Sequence, residues 1–116
     1  KVSLKVHNSR IDLLPAINVT LFRIIQESIS NAIRHGNAKN IIIDMYYSKK
    51  QIQVNIKDDG TGMKKETLDK ENEDVLSGYG LTMMKERVSI LSGDFSIDSK
   101  DNEGTKINVK IPLKMY

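Results

Sequence analysis

A chain of 116 residues is long enough to bury one core and too short for two, so residues 1–116 read as a single domain. Its 39% hydrophobic and 28% charged residues are ordinary for a soluble globular domain, and no apolar run approaches the ~20 residues of a membrane span. The lack of cysteine excludes disulfides and thiolate metal sites and fits a reducing compartment. The sequence opens with no charged-then-apolar leader, so nothing marks it for secretion. The net charge of +3 comes from lysines scattered among acids. Direct nucleic-acid binding needs a basic patch, and none is visible.

Lys1 to Val6 alternates Val2, Leu4 and Val6 with polar residues and reads as a half-buried strand. A helix is predicted from about Pro15 to His35. Pro15 suits its first turn, Gly36 suits the position past its end, and Leu21, Phe22, Ile25, Ile29, Ala32 and Ile33 recur at helical spacing. "NIIIDMYY" and "QIQVNIKD" follow as strands, joined through a hairpin turn at "SKK". Thr61 to Tyr79 has little periodicity and many charges, the signature of a functional loop or lid. "GLTMMKERVSILSG" is a second amphipathic helix, with Leu81, Met84, Val88 and Leu91 as its stripe and Gly93 as its stop. "DFSIDS" and "KINVKIPL" are two more strands around a turn at "KDNEG". This order predicts an α+β two-layer sandwich, with one mostly antiparallel sheet covered on its apolar face by helices.

Four features carry chemistry. Glu27, Asn31 and Arg34 are spaced i, i+4, i+7 on the first helix, with His35 beside them, and are expected opposite the apolar stripe. An acid, an amide, a guanidinium and an imidazole together suit a divalent cation and phosphate charge. In "IKDDGTGM", strand parity puts Asp58 on the face of Ile52, Val54 and Ile56 and points Asp59 away. An inward carboxylate must find donors, such as backbone amides or a ligand amine, while Asp59 reads as an outward turn residue whose loss matters far less. Gly60 and Gly62 leave room for close approach to the backbone. Later, "SGYGL" sets Gly78 and Gly80 before the second helix, where free N–H groups and the helix dipole suit phosphate. "NEGTKINV" sets Gly104 and Thr105 before the last strand, with Thr105 on the parity of Ile107, Val109 and Ile111.

In order and spacing these features resemble the N, G1, G2 and G3 boxes of the ATP-binding catalytic domain of sensor histidine kinases. That domain belongs to the superfamily shared with gyrase-type topoisomerases, the ninety-kilodalton heat-shock chaperones and the mismatch-repair ATPases. "FRIIQESISNAIRHGNAKNI" and "GYGLTMMKERVSILSG" look most like the short-lid subfamily whose partner regulators carry a helix-turn-helix output. The family's phenylalanine box is not recognisable.

The resemblance implies a Bergerat-type fold, ATP and Mg²⁺ as ligands, and a role for each matching residue. Asp58 would accept from the adenine amine, and Gly60 and Gly62 would let the nucleotide lie close. Asn31 would ligate Mg²⁺, Glu27 would orient or deprotonate a nearby water or the attacking group, and Arg34 and His35 would face the phosphates. Gly78, Gly80 and Leu81 would belong to the lid, and Gly104 and Thr105 to the adenine side. The family's acceptor histidine lies on a separate dimerisation helix, and neither His7 nor His35 has that context. The chain is therefore expected to be a fragment, monomeric alone and cytoplasmic. The whole protein would be a homodimer, compatible with a membrane anchor, that serves a response regulator indirectly. A protein-serine kinase of the anti-sigma-factor type and a non-catalytic nucleotide-binding interaction module are the alternatives.

Overall fold

The computed structural model describes residues 1–8, 13–62, 80–100 and 102–113. Five strands form one sheet: β1 (Val2–His7), β2 (Ile41–Tyr47), β3 (Gln51–Asp58), β4 (Asp94–Lys100) and β5 (Gly104–Pro112). Their spatial order is β1-β2-β3-β5-β4. The β1–β2 pair is parallel and the other three pairs are antiparallel. Two helices, α1 (Pro15–Arg34) and α2 (Leu81–Ile90), cover one face. α1 packs over β3 and β5, and α2 packs against α1 and β4. The fold is the expected mixed α+β sandwich.

The core follows from period-two burial in the central strands. Ile52, Val54 and Ile56 of β3 and Ile107, Val109 and Ile111 of β5 are buried in register with one another. They meet Ile17, Leu21 and Ile24 of α1 and Leu81, Met84 and Val88 of α2. The hairpin at Ser48 forms as predicted, its hydroxyl accepting from the Lys50 and Gln51 amides.

Two packing expectations need correction. Val2, Leu4 and Val6 are about half exposed or more, because β1 is an edge strand beyond the cover that α1 gives β3 and β5. The buried stripe of α1 is also turned relative to the simple apolar count. Ile17, Thr20, Leu21, Ile24, Ser28, Asn31 and Ala32 are buried, whereas Phe22 and Ile33 are 65% and 56% exposed. Counting only apolar residues misses Ser28 and Asn31, which occupy core-facing positions at 100° spacing from Ile24.

The helix ends position the site. Past α1, the Gly36 carbonyl accepts from the Thr61 amide. A Cβ on Gly60 would stand 2.5 Å from that same carbonyl oxygen. Only a bare backbone fits there, so the α1–β2 turn and the end of β3 lie directly together. The second helix ends through Ser92, at φ 61, rather than through Gly93, whose amide donates to the Val88 carbonyl.

Candidate functional site

A solvent-open cleft lies where the C-terminal half of α1 faces the ends of β3 and β5. On the α1 side it is lined by Ser28, Asn31, Ala32, His35 and Gly36. On the sheet side the lining is Ile56 and Asp58 of β3, Gly62 beyond it, and Thr105 and Ile107 of β5.

Asp58 forms the polar floor. It pairs with Thr105 across the β3–β5 ladder, so the inward parity read from the sequence holds. Its Oδ1 accepts from the Gly60 amide at 2.8 Å. Burial raises its pKa above the ordinary carboxylate value, against the lowering effect of the Gly60 and Thr105 amides. A carboxylate in this state gains from a further donor entering the cleft. Beside it the Thr105 hydroxyl lies 2.8 Å from Ser99 Oγ, and Ser99 also reaches the Gly104 carbonyl. With the Ser99 proton on that carbonyl, Thr105 donates to Ser99 and its remaining lone pairs are left for the cleft.

Asp59 is a structural tie rather than a plain turn residue. Its carboxylate accepts from the Lys39 and Asn40 amides, both at 2.9 Å, and from the Asn40 side chain at 2.8 Å. These bonds, the Asn40 amide first, lower its pKa to about 2. Asp58 and Asp59 thus fix the two sides of one strand end.

The remaining candidates divide by place. Asn31, His35, Asp58, Gly62 and Thr105 line the cleft, and Asn31 is 6% exposed on the core side of α1, not on its outer row. Glu27 and Arg34 lie beside the cleft and not in its lining. Their side chains are 39% and 61% exposed and approach to 4.0 Å. Gly80, at φ 71, rests against the Glu27 side chain, so the start of α2 sits by the Glu27 end. Leu81 is a core residue, 5% exposed, and seats α2 without reaching the lining. Gly60 and Gly104 support the floor, with Gly104 at φ 87 over the Asp58 carbonyl. Gly78 and most of the expected lid lie outside the described residues.

Ser28 was not singled out from sequence, and Ala32, Gly36, Ile56 and Ile107 were read as core or helix-end positions rather than as site residues. Parity and helical spacing from Ile24 could have found most of them. Ser99 gave no sequence signal. No cluster of three or more His, Asp or Glu that could hold a metal occurs among the described residues, and none of the described helices is long and apolar enough to cross a membrane.

Residues 16–115 match the family described as "Histidine kinase-, DNA gyrase B-, and HSP90-like ATPase". The chain is 40% identical over 104 residues to the signal transduction histidine-protein kinase/phosphatase DegS of Bacillus subtilis, covering 89% of this chain and 26% of that protein. It is 36% identical over 93 residues to the sensor histidine kinase LiaS of the same organism, covering 80% of this chain and 24% of LiaS. It therefore spans about a quarter of the length of these relatives. Among solved structures, the ATP binding domain of PrrB from Mycobacterium tuberculosis superposes with a TM-score of 0.71 at 18% identity, over 98% of this chain and 82% of that one. The histidine kinase domain of a blue-light activated kinase from Erythrobacter litoralis gives 0.71 at 19% identity, over 97% and 51%. These two likenesses establish the fold, and the sequence match establishes the kinship: the chain belongs to the histidine kinase-, DNA gyrase B- and HSP90-like ATPase family.

Proposed function

We propose that the cleft binds Mg-ATP and presents its γ-phosphate to a histidine on a separate dimerisation domain of the same protein, within a two-component sensor kinase. The observation that carries this reading is Asp58, a half-buried carboxylate at the cleft floor whose ionised form is disfavoured by burial and held by backbone amides. An adenine amine supplies the donor it gains from, and the flat base fits between Ala32 on one side and Ile56 and Ile107 on the other.

The phosphates then run toward Asn31 and His35, with Arg34, Glu27 and Gly80 beyond. The donor set there fits Mg²⁺, which takes few protein ligands and completes its shell with water and phosphate oxygen. Asn31 offers an amide oxygen and Glu27, one turn earlier, a carboxylate. When bound, the metal neutralises charge on the phosphates. Arg34 adds a guanidinium cation suited to phosphate oxygens. In the transfer, the imidazole nitrogen forms a bond to the γ-phosphorus as the bond to the ADP oxygen breaks. Glu27 would take the imidazole proton as the attacking group's base. The protein's part is positioning and charge neutralisation.

The names of DegS and LiaS, a signal transduction histidine-protein kinase/phosphatase and a sensor histidine kinase, favour histidine over serine as acceptor. On this reading the domain works in the cytoplasm, the whole protein is a homodimer, and a response regulator receives the phosphate later. Incubation with labelled ATP and a separately produced dimerisation domain tests it. Acid-labile, base-stable phosphate on that domain is expected, and acid-stable phosphate would move the acceptor to serine.

A further inference from the structure

The inner end of the cleft carries one polar group that the family reading does not use. Ser28 lies on α1 one turn before Asn31 and Ala32, farther from the strand-end mouth, where the lining is Ile56 and Ile107. It is 4% exposed, and its hydroxyl has no hydrogen-bond partner among the described residues. The usual escape for a mid-helix serine is a bond to the carbonyl one turn back, and Ser28 does not make it. Burying a hydroxyl without a partner is unfavourable, and alanine would be the better helix former at this position. An occupant of the cleft could satisfy the group.

The surroundings limit that occupant. Ala32, Ile56 and Ile107 are apolar, so a phosphate placed there would meet no cation. A flat ring with apolar faces and acceptor nitrogens on its edge meets both the isoleucines and the hydroxyl. We propose that Ser28 is a base-positioning residue, its hydroxyl donating to a ring nitrogen of the purine, directly or across one trapped water, from the helix side of the cleft while Asp58 takes the exocyclic amine from the sheet side. The inference rests on the reading of the cleft as an adenine-nucleotide site. It adds a second polar contact to the base and makes purine recognition two-sided.

Calorimetric titration of the wild type and Ser28→Ala with ADP, ATP and adenosine tests it, together with thermal denaturation without nucleotide. Affinity should fall about 5-fold, by the same factor for all three ligands, while the unliganded melting temperature stays the same or rises. Deaza analogues of ADP, each lacking one ring nitrogen, identify the acceptor. One of them should bind the wild type as weakly as ADP binds Ser28→Ala, and should lose nothing further in the variant. Unchanged affinity in Ser28→Ala overturns the proposal, as does a loss confined to ADP and ATP, or a loss matched by a lower unliganded melting temperature. A wild type that binds no adenine ligand would instead remove the cleft reading on which it stands.

Discussion

Asp58 and Asp59 are neighbours in sequence and opposites in every physical respect. Asp58 faces the cleft, is partly desolvated, and has its pKa raised by burial. Asp59 faces solvent, accepts three hydrogen bonds from Lys39 and Asn40, and has its pKa lowered to about 2. One carboxylate is held short of donors at a site and the other is saturated with them at a joint. A one-residue step along a strand exchanges faces, and here it separates the proposed base contact from the tie that keeps this strand end against α1. Asp59 matters to the site because it secures the turn whose Gly36 carbonyl packs on Gly60.

The change expected to break both roles at once is Gly60→Ala. Its Cβ would press on the Gly36 carbonyl and stand 3.0 Å from Asp58 Oδ1, so the strand end must move away from α1. A loss of roughly 2–3 kcal/mol in unfolding free energy is expected from such overpacking, with loss of nucleotide affinity alongside. Chemical denaturation and calorimetry check the two parts.

Asp59→Ala should separate them. The melting temperature should fall by a few degrees, with nucleotide affinity changed less than about 3-fold because the side chain faces away from the cleft.

The pH dependence sharpens the contrast. A carboxylate with a depressed folded pKa contributes stability above its unfolded value, and that contribution is lost as pH falls through the folded pKa. The Asp59 share should thus fade between about pH 4 and pH 2, and Asp59→Asn should flatten that part of the stability profile. Asp58 has the opposite sign. Its folded pKa is raised, so its ionised form opposes folding above the unfolded value, and protonation relieves this as pH falls through the folded pKa. Asp58→Asn should leave the unliganded domain as stable as the wild type or more so by thermal denaturation. The floor of the series is Phe22→Ser, on the 65% exposed outer face of α1, which should move stability by about 0.5 kcal/mol or less.

Much of this molecule was legible in its sequence where period and parity act alone. Every described strand and helix was anticipated near its observed bounds, and the inward turn of Asp58 followed from two-residue alternation along β3. The misreadings have local causes. α1 is apolar over more than one face, with Val19, Phe22 and Ile33 exposed, so an apolar count could not say which side met the sheet. Asn31 was therefore expected opposite the apolar stripe, although it is buried and the cleft opens there. β1 alternates like a half-buried strand, but its exposure depends on where α1 lies across the sheet, a long-range fact. The saturation of Asp59 depends on a turn 19 residues away in sequence, which no local pattern encodes.

The central claim is that one aspartate recognises the base and its neighbour does not. Calorimetric titration of ADP into the wild type, Asp58→Asn and Asp59→Asn, at one pH near neutrality, tests it most directly. Asp58→Asn should lose roughly 100-fold or more in affinity, the scale of a charge-assisted hydrogen bond replaced by an amide that also presents a donor, while Asp59→Asn stays within about 3-fold of the wild type. Unchanged binding in Asp58→Asn, or equal losses in both variants, would contradict the account.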